Sequence, residues 1–176
     1  MAQSTDCLEA LGNVVAIFPV PSGTYDIAVP FNVRATTIAL SDITNLSESD
    51  FLADLYSHGG LMISAVQYLS NASRTITIEE RPTIKSAAKK DRAGLYFNVK
   101  ISARSLDMQK TVENFITYLM QYPYFDTFIL DSEDNIYLVR GIEPATDMSA
   151  DIVLPRTQEQ QIDIEVNCVN GLQQVV

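Results

Sequence analysis

Histidine and cysteine are nearly missing from this chain, which has one of the first and two of the second in 176 residues. Cys7 and Cys168 are too few for a disulfide framework and too far apart for metal-ligand spacing, so both are expected as thiols, Cys168 on the buried face of a strand. His58 alone builds neither a histidine metal site nor an arrangement needing two histidines. A triad with a single histidine stays open, but His58 stands beside Gly59-Gly60 at the end of a short helix, where a histidine is favoured for helix stability alone. Only seven glycines are present, and none falls in a G-x-x-x-x-G-K-[ST] or G-x-G-x-x-G run, so a phosphate cradle has no support. No stretch of about 18 apolar residues occurs, and the opening MAQSTDCLEALGNVVAIF lacks a positive region ahead of its apolar run, so a soluble, intracellular chain without membrane partners is expected. Basic residues are outnumbered 12 to 22, a net charge of −10 that repels a phosphate backbone and argues against sequence-specific nucleic-acid binding.

What is present is a folding chain: 47% hydrophobic and 19% charged residues suit one globular domain over 1–176. Strand patterns dominate. Asn13 to Val20 and Thr24 to Val29 flank Ser22-Gly23 and read as a hairpin. Asp50 to Tyr56 is a short helix capped by Ser47 or Ser49 and stopped by Gly59-Gly60. Leu61 to Leu69 and Arg74 to Glu79 follow as strands. Gly94 opens the clearest strand, with Leu95, Phe97, Val99, Ile101 and Ala103 on one face and Tyr96, Asn98, Lys100, Ser102 and Arg104 on the other. From about Leu106 to Gln121, Met108, Val112, Phe115, Ile116 and Leu119 make one apolar stripe at the helical period. Phe125 to Leu130 and Ile136 to Arg140 flank the polar turn Asp131 to Asn135, a strong hairpin signal. That turn superficially resembles a calcium loop but lacks its glycine and its terminal glutamate, so a solvated turn is expected. Asp151 to Leu154 and Gln161 to Val169 complete the strands. Without regular alternation of strand and helix, the pattern predicts a mainly β (α+β) fold, an antiparallel sandwich or barrel with one amphipathic helix packed across it.

The exception is Glu80 to Ala93. It holds Arg81, Lys85, Lys89, Lys90 and Arg92, five of the twelve basic residues, and has no apolar period. It reads as an extended mobile loop or arm, and long irregular segments inside compact domains are uncommon unless functional. Without interleaved aromatics to stack on bases, its charge suits the acidic face of a neighbouring copy better than nucleic acid. These five residues are the candidate assembly site; no catalytic, cofactor or metal residue is assigned.

Gly94-Leu-Tyr-Phe-Asn-Val-Lys-Ile-Ser-Ala-Arg, an amphipathic helix, Phe128-Ile-Leu-Asp131 and Asn135-Ile-Tyr-Leu-Val-Arg-Gly141 are similar in order to the strand, helix and hairpin of bacteriophage tail tube and related tail proteins. Asp131, Asp134, Asn135, Ile136 and Gly141 match that family's hairpin pattern, and the resemblance covers about half of the chain. It implies a virion structural protein, assembled in the bacterial host cytoplasm, whose protomers form hexameric rings stacked by an extended loop into a hollow tube, alongside other tail proteins. An acidic lumen would let DNA pass without gripping it. The competing expectations are a monomeric β-sandwich module binding a peptide or carbohydrate, and a small enzyme of unmarked type; a non-enzyme is the reading adopted.

Overall fold

Val14–Pro21 forms β1, and its apolar run VVAIFPVP is buried on both faces, as a strand at the centre of a covered sheet must be. The computed structural model describes residues 14–30, 33–62, 75–78, 82–92, 94–105, 114–115, 117–118, 121, 125–140, 146–151, 160–168 and 170–176. After β1 come β2 (Thr37–Ile38), α1 (Glu48–His58), β3 (Gly60–Met62), β4 (Thr75–Thr77), β5 (Thr83–Asp91), β6 (Gly94–Ser105), β7 (Phe125–Asp131), β8 (Ile136–Arg140), β9 (Thr146–Asp151), β10 (Gln160–Cys168) and β11 (Gln173–Val175). They build a seven-stranded sheet, β2-β11-β8-β7-β1-β3-β4, and a four-stranded sheet, β5-β6-β10-β9. The fold is thus mainly β with helical cover, as expected. Among the described residues neither sheet closes, so the architecture is two open sheets rather than a barrel, and the larger one is mixed: β11 with β2 and β3 with β4 are parallel.

Three layers follow from which side chains share a core. Ile17, Leu61, Ile76, Ile129 and Val139 of the large sheet pack with Ile84, Val99, Ile101, Ala103 and Cys168 of the small one. Ala16, Phe18, Val20, Phe128, Leu130 and Leu138, on the opposite face of the large sheet, pack with Phe51 and Leu55 of α1. A bulge between Val14 and Ala16 turns Val14 to the first core, against the alternation of its strand. Because β1, β7 and β8 have cores on both sides, they read as continuous apolar runs. Cys168 is buried as expected, and burial pushes its thiol up to about 11, so it stays protonated and unreactive at neutral pH.

Helix α1 matches its sequence signals. The Ser47 hydroxyl accepts from the Asp50 backbone N–H at 3.3 Å, Glu48 and Asp50 face the positive end, and Gly59 at φ 79° ends the helix. Phe51 and Leu55, one turn apart, carry its buried face, a contribution of about 1.5–3 kcal/mol each. Ser47→Ala should therefore lower stability by about 1 kcal/mol, read as a shift in urea midpoint at unchanged slope, whereas Ser49→Ala should change it little. Of the second predicted helix, Asn114, Phe115, Thr117 and Tyr118 are described; they are helical, with Phe115 and Tyr118 buried and the other two exposed. Met108, Val112, Ile116 and Leu119 lie outside the described residues.

Two expectations are corrected. Thr24 to Val29 is not the second strand of a hairpin: none of its residues is in a strand, and β1 pairs instead with β7 and β3. It forms instead a strap over α1: the Tyr25 ring lies edge-on to Phe51 and Phe128 at 5.2 and 5.6 Å, and Ala28 N–H donates to the Asp42 carbonyl at 2.8 Å. Glu80 to Ala93 is not an irregular arm either. Within it, Thr83 to Asp91 is a regular strand whose every residue has a partner on β6, from Thr83 with Ser102 to Asp91 with Gly94.

Candidate assembly interface

The ladder between β5 and β6 is what places the basic residues. At its lower end Ile84 pairs with Ile101, and both are buried against the large sheet. Above Ala88 and Phe97 the ribbon leaves the core: Phe97 still packs against it and pairs with Cys168 of β10, whereas Lys89 and Lys90 are exposed and none of Gly94, Leu95 and Tyr96 is buried. The end of the ribbon is thus a two-stranded projection with both faces accessible, and Leu95 is 44% exposed. Its base is buttressed. The Arg34 guanidinium donates to the Leu95 carbonyl, Asn170 exchanges hydrogen bonds with Ala35 N–H and the Val33 carbonyl at 2.9 and 2.7 Å, and Gly171 sits so near Phe97 that an added Cβ would lie 3.0 Å from the ring.

Lys85, Lys89, Lys90 and Arg92 all stand exposed on this ribbon, and Arg81 lies outside the described residues. The register adds two cations that chain order places in a separate strand, Lys100 and Arg104. Residues 83 to 105 then hold six of the twelve basic side chains against Asp91 alone, a formal +5 that leaves −15 for the rest of the chain. The ribbon also brings Tyr96 opposite Lys89, an aromatic among the cations that the segment 80–93 alone does not contain. Lys85 lies directly opposite Lys100, an arrangement of like charges that costs stability unless something else opposes them. Across the sheet the sign reverses: Lys100 is in register with Glu165, and Glu165 with Asp147. One row thus runs Lys85, Lys100, Glu165, Asp147, basic at one edge strand and acidic at the other.

The other clusters of polar groups have structural work. The Asp131 carboxylate accepts from the N–H of Glu133 and of Asn135, both at 2.9 Å, and from the Asn135 amide at 3.1 Å, which holds the turn in which Asp134 takes φ 65°. His58 Nε2 lies 3.5 Å from Asp54 Oδ2, and the same oxygen accepts the Tyr25 hydroxyl. Burial and the Asp54 carboxylate both raise the Tyr25 phenol well above its ordinary value, so it remains a donor that fastens the strap to α1. Among the described residues no group of three or more histidine, cysteine, aspartate or glutamate side chains is placed to hold a metal ion, and no helix is long and apolar enough to cross a membrane. Compared with known proteins, the chain matches no family model, no curated protein and no solved structure.

Proposed function

We propose that this chain is a structural protein that assembles with copies of itself into stacked rings, the protomer of a hollow bacteriophage tail tube. The observation that carries the reading is the partition of charge, +5 over the paired strands β5 and β6 and −15 elsewhere, which makes each copy attractive to the next. A solvated edge needs some lysine to discourage aggregation. It does not need half of a chain's cations on two paired strands, with two lysines directly opposed. The predicted order of strand, helix and hairpin supports the tail-protein reading in particular. No catalytic step is part of it, and the protein's place is the virion, beside other tail proteins.

The test is a concentration series by light scattering, with negative-stain images of the same samples. Assembly into rings or tubes is the expected result, weakening as salt screens the ribbon's charge. Reversing Lys89 and Lys90 to Glu should weaken assembly most at low salt and flatten its salt dependence, with the monomer's melting temperature within about 2 °C of the parent because both side chains are exposed. A protein that stays at 19.5 kDa at every concentration would refute the reading.

A further inference from the structure

We propose that the strap from Ser22 to Pro30 is a hinged cover that lifts from α1 as one unit while both sheets stay folded, and that the buried pair of Asp126 and Arg140, to which both its ends are tied, is its latch. The inference does not depend on the self-assembly reading and holds equally for a chain that never assembles.

The strap's attachments set it apart from the rest of the fold. It joins no strand, and its own backbone bonds stay within the segment or at its root: Thr24 N–H donates to the Pro21 carbonyl at 3.1 Å and Ile27 N–H to the Tyr25 carbonyl at 3.0 Å. Four contacts fasten it elsewhere. Ser22 donates to the Asp126 carboxylate, the Tyr25 hydroxyl to Asp54 and Ala28 N–H to the Asp42 carbonyl at 2.8 Å, while the Val29 carbonyl accepts from Arg140 at 2.6 Å. Of its side chains Tyr25 alone is buried; Ile27 and Val29 are half-buried and the rest, Pro30 included, are exposed. A segment with so few buried contacts opens at a lower free energy than the domain unfolds. What it covers holds without it. Phe51 of α1 and Phe128 of β7 meet edge-on at 5.4 Å, so both keep that contact when the Tyr25 ring leaves, and the apolar groove between α1 and the large sheet is then uncovered.

Both ends of the strap meet one pair. Asp126 and Arg140 are register partners on β7 and β8; Ser22 holds the first and the Val29 carbonyl the second, so the strap's ends lie against the pair and help to bury it. Of the groups facing Asp126, Arg140 is charged, whereas Ser22 and its β1 partner Val20 are not. Asp54 and His58 of α1 stand at the separate Tyr25 tie, with the His58 ring 6.0 Å from the Tyr25 ring.

A charged Asp126 favours the open strap. Closed, the site keeps water from the carboxyl and pushes it up to about 6 over the opposing pull of Arg140; open, water returns and the value falls toward the ordinary 3.8. Between those values the closed form holds the extra proton. Closure is therefore strongest below about pH 4 and weakens as pH rises through about 6, the ratio of open to closed gaining at most on the order of a hundredfold.

Hydrogen exchange of the Ala28 amide, measured at low temperature and corrected for the intrinsic change with pH, reads the opening. Ala28 should be less protected than the bonded amides of β1 and β7, and its protection should fall by on the order of tenfold or more between pH 4 and pH 8. In Asp126→Asn the protection should be flat over that range, and in His58→Gln it should fall as in the parent. Tyr25→Phe keeps the ring and loses the bond to Asp54, so Ala28 should be less protected throughout. An Ala28 proton that exchanges only together with those of β1 and β7, a fall that survives in Asp126→Asn, or one that disappears in His58→Gln would each overturn the latch. Should a variant fail to fold, the parent's Ala28 exchange measured against that of β1 and β7 still decides whether the strap lifts alone.

Discussion

Gly60→Ala should leave the chain without its native fold, a loss above about 4 kcal/mol and comparable with the roughly 5–15 kcal/mol that holds a domain together. Gly60 is where the chain turns from the end of α1 into β3 and passes against β1. A Cβ there would lie 2.1 Å from the Ile17 carbonyl oxygen, 3.1 Å from its carbon and 3.2 Å from Phe18 Cα. All three are backbone atoms of a strand held on its other edge by β7 along seven register pairs, so β1 cannot give way. Instead β3 must leave, which breaks the pairs of Leu61 with Ile17 and Met62 with Ala16 and opens both cores, since Leu61 lies in one and Met62 in the other. Gly23→Ala is the control. At φ 96° an alanine is strained, but nothing lies within 4 Å of its Cβ, so the cost is the backbone term of about 1–3 kcal/mol. Circular dichroism and urea titration of the two variants separate these outcomes. A cooperative Gly60→Ala protein with the parent's midpoint would mean that β3 does not pass β1 this closely.

The signals that are legible in the sequence are those whose physics is local. Ser47, the acidic first turn and Gly59 fix α1 without help from the rest of the chain, and Asp131 closes its turn through its own neighbours. Period two is readable in β6 where its outer face is wet, because Lys100 and Arg104 are exposed between buried Val99, Ile101, Ala103 and Ser105. The strand β5 is not readable for a related reason. Only Ile84 of this strand is buried in the core, its later residues are partly or fully exposed, and TIKSAAKKD carries no alternation to find. Its strand character comes from the ladder with β6, a contact that no window along the sequence contains. The candidate site divides in the same way. Lys85, Lys89, Lys90 and Arg92 are visible as a run, but Lys100 and Arg104 join them only through the register, and so does the acidic half of the same sheet. The strap from Ser22 to Pro30 reads as a strand after its Ser22-Gly23 turn, yet its Tyr25 packs on α1 and its residues join no strand of the sheet.

Asp126→Asn should stabilise the protein at neutral pH, an unusual direction for a buried polar residue and one that the surroundings dictate. Asp126 is register partner of Arg140 at the end of the β7 and β8 hairpin, and it is 8% exposed. Burial pushes its carboxyl up to about 6, against the opposing attraction of the Arg140 guanidinium and a hydrogen bond from Ser22; desolvation wins. Arg140 is held besides by its bond to the Val29 carbonyl at 2.6 Å, and burial lowers its own pKa. In the unfolded chain the Asp126 carboxyl returns to its ordinary value of 3.8. Between about 4 and about 6 the native state therefore holds the extra proton, and stability falls as pH rises through that window. Above it the full penalty applies, about 3 kcal/mol, because each tenfold difference in proton affinity between the folded and unfolded chain is worth roughly 1.4 kcal/mol. Asparagine keeps the shape, still accepts from Ser22 and cannot ionise. The attraction to Arg140 is already contained in the net shift, so the variant should exceed the parent by about 3 kcal/mol at pH 8 and converge on it near pH 4. Urea midpoints of both proteins across that range give the difference directly, with the other carboxylates common to the two. A difference that stays constant from pH 4 to pH 8, or an Asp126→Asn protein less stable at pH 8 than at pH 4 relative to the parent, would show that this carboxylate is charged and stabilising in the native state.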